Sequence, residues 1–117
     1  MASNLERLID AAPAHIYLKD AEGRVLFVNQ ATATALAQAK EELIGGLDRD
    51  HLPPEQMATI RDHDLAVLQS GTPQSFQMKL DFPGGSKTMV DHKFPVTLED
   101  GSTGVGGIAV VVEGSST

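Results

Sequence analysis

Two β-rich runs joined by an Asp-Gly turn constrain the fold of this chain more than any other feature. The first run is residues 86–96, the reversal is residues 98–104, and the return is residues 105–112. The reversal contains Asp100-Gly101, and Gly adopts the positive φ of a tight turn at little cost. The pattern therefore predicts an antiparallel hairpin, and the rest of the chain is expected to pack against it.

Hydrophobic periodicity predicts the remaining elements. Helices are expected over residues 5–12, 30–38, 41–44 and 54–69, and strands over residues 15–19, 24–28 and 75–82. Asn29 is the expected N-cap of the second helix, and Gly71 is the expected stop of the long one. The order predicts an α+β fold, in which a five-stranded antiparallel sheet carries helices on one face and an N-terminal capping helix.

Composition limits the class of function. The 117 residues suffice for one domain with a single core, and the formal charge of −7 argues against nucleic-acid or anionic-membrane partners. There is no cysteine, which excludes disulfides, zinc-thiolate sites and thiol nucleophiles. No apolar run approaches the ~20 residues that span a bilayer, so we expect a cytoplasmic protein.

Several stretches, taken in order, carry a family resemblance. They are residues 16–29, 42–45, 63–71, 93–95, 100–101 and 104–109. Together they resemble the PAS domain of the sensory-box type, over about residues 4–113 of a single domain 1–117. Residues 114–117 are interpreted as a linker stub.

The resemblance implies a regulatory function. It implies a non-catalytic sensing and dimerisation module of a larger signalling protein, with a bacterial sensor histidine kinase as the first expectation and a diguanylate cyclase as the second. One alternative is a ligand-free PAS domain that serves only dimerisation and signal relay. Another is a heme-binding sensor.

Cofactor candidates are weighed against the same resemblance. Relatives that bind flavin or a linked chromophore use a cysteine that this chain lacks. Relatives that bind heme carry a histidine where this chain has Arg61, and the nearby His63 is expected to face solvent. Asp-His pairs at residues 50–51, 62–64 and 91–92 lack a spacing that forces a shared metal site. We therefore expect no cofactor and no metal, although a small-molecule ligand is compatible with the pattern.

Enzymatic activity is not expected. No serine has a base as a local partner, and catalysis by a nucleophile needs one. The glycines of residues 104–107 open a strand rather than a helix, so they do not form a dinucleotide loop. They are interpreted as places of close packing or of strand curvature.

A cavity between the sheet and the long helix is the remaining candidate site. Arg61 and Asp64 are three residues apart and can pair with each other. This pair either forms a rim salt bridge over a filled core or, together with His92, orients a small acidic or polar ligand. The candidate pocket residues are Ile16, Leu18, Leu36, Met57, Ile60, Arg61, Asp64, Leu68, Met78, Val90, His92, Phe94 and Ile108.

The last strand is apolar on both sides, so its outer face requires a cover. Alternation places Val105, Ala109 and Val111 outside. The N-terminal stripe of Leu5, Leu8 and Ile9 is a suitable cover, from the same chain or from a partner. We expect a homodimer through this helix and the outer face of the sheet.

Overall fold

The computed structural model describes residues 2–48 and 51–114, and its elements follow the predicted order. They are α1 Asn4–Ala11, β1 His15–Lys19, β2 Val25–Val28, α2 Gln30–Ala35, α3 Lys40–Leu43, α4 Pro54–Ser70, β3 Gln74–Phe82, β4 Gly85–Thr97 and β5 Thr103–Gly114. The five strands form one antiparallel sheet in the order β2-β1-β5-β4-β3. The predicted α+β class is confirmed.

The predicted hairpin is the β4–β5 pair, and it lies at the middle of the sheet. Pairing begins at Thr97 opposite Thr103, next to the turn. Gly101 has a φ of 87°, and the side chain of Asp100 accepts a hydrogen bond from the Ser102 N–H at 2.9 Å. β5 therefore has paired neighbours on both sides, β4 on one and β1 on the other.

The long helix α4 lies against the sheet face that also carries the other helices. It begins with proline at its first position and ends at Gly71, whose φ is 67°. Its buried positions are Met57, Ile60, Asp64 and Val67. An aspartate in an otherwise apolar buried stripe requires a partner on the sheet.

Asn29 joins three elements and confirms the predicted N-cap. Its Oδ1 accepts from the Thr32 N–H and from the Ile16 N–H. Its Nδ2 donates to the Ile9 and Ala14 carbonyl oxygens. This fully buried amide fixes the end of α1, the start of β1 and the start of α2.

The helix predicted to reach residue 38 ends at Ala35. Ala37 follows with a φ of 56°, which lies in the left-handed region that an alanine rarely adopts. A separate turn of helix, α3, then begins at Lys40.

The predicted inward face of β4 is wrong. Met89 and Lys93 are 1% and 2% exposed and point towards the helices, whereas His92 is exposed on the other face. The prediction placed Val90, His92 and Phe94 inside, whereas the other face carries the charged residues Lys87, Asp91 and Lys93. A strand has a period of two, so this single choice reversed every side chain on it.

The same reversal applies to β5 and β1. Val105 and Ala109 are 1% and 5% exposed on the inner face, and Ile108 is 39% exposed on the outer one. On β1 the inner residues are His15, Tyr17 and Lys19, which pair in register with Ala109, Gly107 and Val105. Both faces of β5 are apolar, so its sequence alone does not distinguish them.

Two predictions fall partly outside the described residues. These are the Asp50 member of one Asp-His pair and the linker residues 115–117. Among the helices that the structure describes, none has the length and apolar character to cross a bilayer.

Candidate functional site

A cavity of about 120 Å³, partly open to solvent, lies between the sheet and the helices. Four of the predicted pocket residues stand on its wall: Leu36, Met57, Ile60 and Met78. Further apolar wall residues come from the strands, from α3 and from the loop before α4, namely Val25, Val28, Leu43, Leu52, Leu80, Phe82, Met89 and Ala109. The remaining wall residues are polar or charged.

The other predicted pocket residues lie elsewhere. Those on the far side of the sheet are Ile16, Leu18, Val90, His92, Phe94 and Ile108. Arg61 lines a separate surface recess with Glu22 and Asp48, and Leu68 is half-buried away from the cavity wall. His92 is exposed and bonds through its Nδ1 to the Ser75 hydroxyl at 2.7 Å, so it does not enter the cavity.

A buried ion cluster forms the charged end of the cavity. We use this name for Lys19, Asp48, Asp64, Asp91 and Lys93. Asp64 is 1% exposed, and its two oxygens accept from the Lys19 and Lys93 Nζ atoms, each at 2.5 Å. Lys19 also contacts Asp48 Oδ2 at 2.6 Å, and Lys93 lies 3.7 Å from Asp91 Oδ2. The cluster joins β1, β4, α4 and the loop before residue 49.

The predicted Arg61–Asp64 pair is therefore wrong. Helical spacing permits that pair, but Asp64 faces the sheet, where two lysines satisfy both of its oxygens. Arg61 instead lines the separate surface recess, and its Nη1 is buried without a hydrogen-bond partner among the described residues. The salt bridge lies in the interior rather than on the rim.

Tyr17 lies across the middle of the cluster. Its hydroxyl donates to Asp91 Oδ2 at 2.7 Å, and its ring centroid is 5.2 Å from Lys19 Nζ and 5.5 Å from Lys93 Nζ. These distances fall within the range of cation–π attraction. Tyrosine thus holds the two ammonium groups and one carboxylate in a fixed arrangement.

Gly107 makes room for that ring. A Cβ at this position would lie 2.0 Å from Tyr17 Cζ, so the ring rests directly on the backbone of β5. Tyr17 on β1 can then reach over β5 to Asp91 on β4. The expectation that glycines here mark close packing is confirmed.

Electrostatics within the cluster favour the charged forms of Asp64 and Lys19 but not that of Lys93. Burial would raise the pKa of Asp64, but Lys19 and Lys93 outweigh it and hold this pKa below its ordinary value. Burial would lower the pKa of Lys19, but Asp64 and Asp48 raise it. Burial and the charge of Lys19 together lower the pKa of Lys93. Lys93 differs because only one carboxylate contacts it closely.

Asp91 is the least satisfied member of the cluster. It stands on the cavity wall, and its Oδ1 is buried without a hydrogen-bond partner among the described residues. Burial, then the charge and hydrogen bond of Asp91, raise the pKa of Tyr17 well above its ordinary value. Tyr17 therefore stays a donor to Oδ2, and Oδ1 is the acceptor that remains.

His63 is half-buried rather than fully solvent-facing as predicted. Its ring stacks on Phe76 of β3, with centroids 3.9 Å apart and planes 11° from parallel. Burial is the largest cause of a lowered pKa for this imidazole. Its place between two aspartates suggested a solvated side chain, but the facing aromatic residue determines its position.

Sequence reasoning missed Tyr17, Lys19, Asp91 and Lys93 as site residues. One signal pointed to them: Asp64 interrupts the apolar stripe of α4 and requires buried cations as partners. Lysines on the central strands are the candidates that this signal identifies. They were overlooked because apolar residues are preferred on the buried face of a sheet.

The outer face of the sheet is open. Ile108 and Val110 are 39% and 37% exposed there. α1 packs on α2 rather than on this face, and its Leu5 and Leu8 remain 65% and 68% exposed. Of the predicted interface residues, Val105 and Ala109 are buried inside, Ile9 is half-buried, and Val111 is exposed beside Met89.

Comparison with known proteins identifies similar folds. A family model described as the PAS fold matches residues 9–115. Protein y4lL of Sinorhizobium fredii is 33% identical over 102 residues, which are 86% of this chain and 12% of that protein. The chain thus spans only a small part of this relative.

Two solved structures illustrate the match. VqmA of Vibrio cholerae, in a structure bound to DPO, superposes with a TM-score of 0.82 at 21% identity over 93% of this chain and 57% of that one. The PAS domain of BvgS from Bordetella pertussis gives 0.74 at 20% identity over 92% and 83%. At these identities the likeness concerns the fold.

Proposed function

The chain belongs to the PAS-fold family, and from that premise we propose that it is a signal-sensing module that binds a small molecule in the cavity between its sheet and helices. The observation that carries the proposal is the position of the cavity beside the buried ion cluster. A molecule that contacts Asp91 or Lys93 changes the surroundings of the Lys93–Asp64 ion pair, which joins β4 to α4. Binding and the relative position of these elements are thereby linked.

The chain's own chemistry is regulatory in this proposal. Most charged groups of the cluster are paired with one another, and the proposal assigns them no catalytic role. The module works as part of a longer signalling protein, of which a sensor histidine kinase is the first candidate. The small share of y4lL that this chain spans supports such an arrangement.

A cavity-filling variant tests the binding step. Ala109 is 5% exposed on the cavity wall, and in Ala109→Leu the larger side chain occupies part of the space. We expect toluene to shift amide NMR signals of wall residues in the parent chain and not in this variant. Ala21→Leu, at an exposed turn, is the matched control and keeps the response.

The outcome separates two functions. If toluene leaves the parent spectrum unchanged, the cavity does not admit apolar molecules. The alternative of a ligand-free domain for dimerisation and relay is favoured if probes with a polar head also fail to bind. Overpacking costs about 1–3 kcal/mol, so the folded state of the variant is first checked by thermal unfolding.

We also propose that a second copy covers the outer face of the sheet, together with α1. Ile108, Val110, Leu5 and Leu8 are exposed apolar residues that a partner would bury. Vibrio cholerae VqmA, a structural neighbour, is described as a dimer, which supports an assembly of this kind.

A charge on this face should dissociate the dimer. For Ile108→Asp we expect a monomer by light scattering at concentrations where the parent is dimeric, because burying an unpaired carboxylate is costly. Ala58→Asp, exposed on α4 at the opposite side of the sheet, should stay dimeric. A parent chain that remains monomeric at high micromolar concentration would contradict this assembly.

A further inference from the structure

Asp91 lines the cavity, and one oxygen of its carboxylate, which is an acceptor, lacks a partner among the described residues. Asp91 Oδ2 accepts from Tyr17, whereas Asp91 Oδ1 is buried and unpartnered among the described residues. An unsatisfied buried carboxylate oxygen costs free energy until a donor reaches it. A ligand that supplies the donor therefore gains more than one that supplies another acceptor.

The cations nearby are already engaged. Lys19 Nζ contacts two carboxylates, at 2.5 and 2.6 Å. Lys93 Nζ contacts Asp64 Oδ1 at 2.5 Å and has Asp91 within 3.7 Å. A carboxylate ligand would have to compete with these fixed partners for either ammonium group.

The charge balance of the cluster points the same way. It contains three carboxylates, of Asp48, Asp64 and Asp91, against the two ammonium groups of Lys19 and Lys93. His15, also on the wall, adds no positive charge at neutral pH, since burial lowers its pKa. His51 is the other imidazole on the wall, and its Nδ1 is bonded to Gln38 at 3.0 Å.

The size of the cavity limits the rest of the molecule. A cavity of ~150 Å³ lined by apolar side chains accommodates benzene. The 120 Å³ here, walled by Met57, Ile60, Leu80 and Met89, suits an apolar body of about one ring.

We propose that the cavity selects a small amphipathic molecule whose apolar body is about one ring and whose polar head donates a hydrogen bond to Asp91, above all an amine, and that it rejects carboxylates. This inference rests on the proposed function of the same cavity. Of the small acidic or polar ligands that the sequence suggested, it retains the polar ones and excludes the acidic ones. Selectivity of this kind arises from the unpartnered acceptor and the surplus negative charge.

A matched set of one-ring probes tests the inference. The probes are benzylamine, benzyl alcohol, benzoate and toluene, titrated into the chain at millimolar concentrations and followed by amide NMR shifts. We expect benzylamine to bind at least roughly tenfold more tightly than benzoate, because a charge-assisted hydrogen bond replaces a repulsion. Benzyl alcohol should lie between them.

Asp91→Asn provides the matched variant. The amide oxygen of the new asparagine can still accept the hydrogen bond from Tyr17. In that orientation its NH₂ group occupies the former position of Oδ1. We expect benzylamine to lose roughly tenfold in affinity and benzoate to gain, while toluene binds as before. Thermal unfolding verifies that the variant is folded. If it is not, the probe series on the parent chain still tests the inference.

Each failure has a distinct meaning. Two results would overturn the inference that the ligand donates a hydrogen bond to Asp91, while the cavity function stands. Benzoate binds the parent as tightly as benzylamine, or the probes with a polar head bind no differently from toluene. If none of the four probes binds, the proposed sensing function fails together with the inference.

Discussion

Asp64→Ala should lower the free energy of unfolding by about 3–5 kcal/mol, since it leaves two buried ammonium groups without their shared carboxylate. Lys19 and Lys93 are 5% and 2% exposed, so water cannot replace the lost partner. For a domain of this size the melting temperature should fall by more than about 10 °C. Urea unfolding followed by circular dichroism measures the change.

The matched control is Asp62→Ala, an exposed carboxylate on the same helix. We expect it to change stability by no more than about 0.5 kcal/mol. Replacing Lys19, Asp64 and Lys93 together by apolar residues of similar volume should restore stability to near that of the parent, because no buried charge is then left alone. A cost below about 1 kcal/mol for Asp64→Ala would show that the cluster is hydrated.

Gly107→Ala should be the second severe change. The new Cβ would lie 2.0 Å from Tyr17 Cζ and 2.2 Å from its hydroxyl oxygen, so the ring must leave its place on β5. Overpacking costs about 1–3 kcal/mol and occasionally more, and loss of the Tyr17–Asp91 hydrogen bond adds to it. We expect a loss of about 3 kcal/mol in chemical denaturation.

A double-mutant cycle identifies the cause. In a Tyr17→Ala background, Gly107→Ala should cost far less than in the parent, because the clashing ring is gone. Gly84→Ala is the control, since a Cβ there meets no heavy atom within 4 Å. Equal costs of Gly107→Ala in both backgrounds would mean that the ring is not the obstacle.

The fold was predictable because local signals agreed with one another. Asp100-Gly101 marked the hairpin, Asn29 marked the start of α2, and Gly71 marked the end of α4. Each of these residues has a conformational or capping preference that acts over a few neighbours. Such preferences can be identified in a single sequence.

The site was only partly predictable, because it depends on which face of each strand is inside. Met57 and Ile60 were identified correctly as wall residues since helical periodicity gave α4 a clear buried stripe. On β4 the same hydrophobic reasoning selected Val90 and Phe94 over Asp91 and Lys93. Burial of these charges is possible only through partners that come from distant parts of the chain, and no local pattern specifies them.

Gly106 and Gly107 are adjacent, and an aromatic ring packs against each of them, on opposite faces of the sheet. A Cβ at Gly106 would lie 2.6 Å from Phe94 Cε2 on the outer face, as one at Gly107 would meet Tyr17 on the inner. The wall between the cavity and the outer surface is therefore a single backbone thick at this point. If a bound molecule displaces Tyr17, the backbone at Gly106 and Gly107 is the only layer between the moving ring and Phe94. A neighbouring protein on the outer face could therefore sense the movement through Phe94.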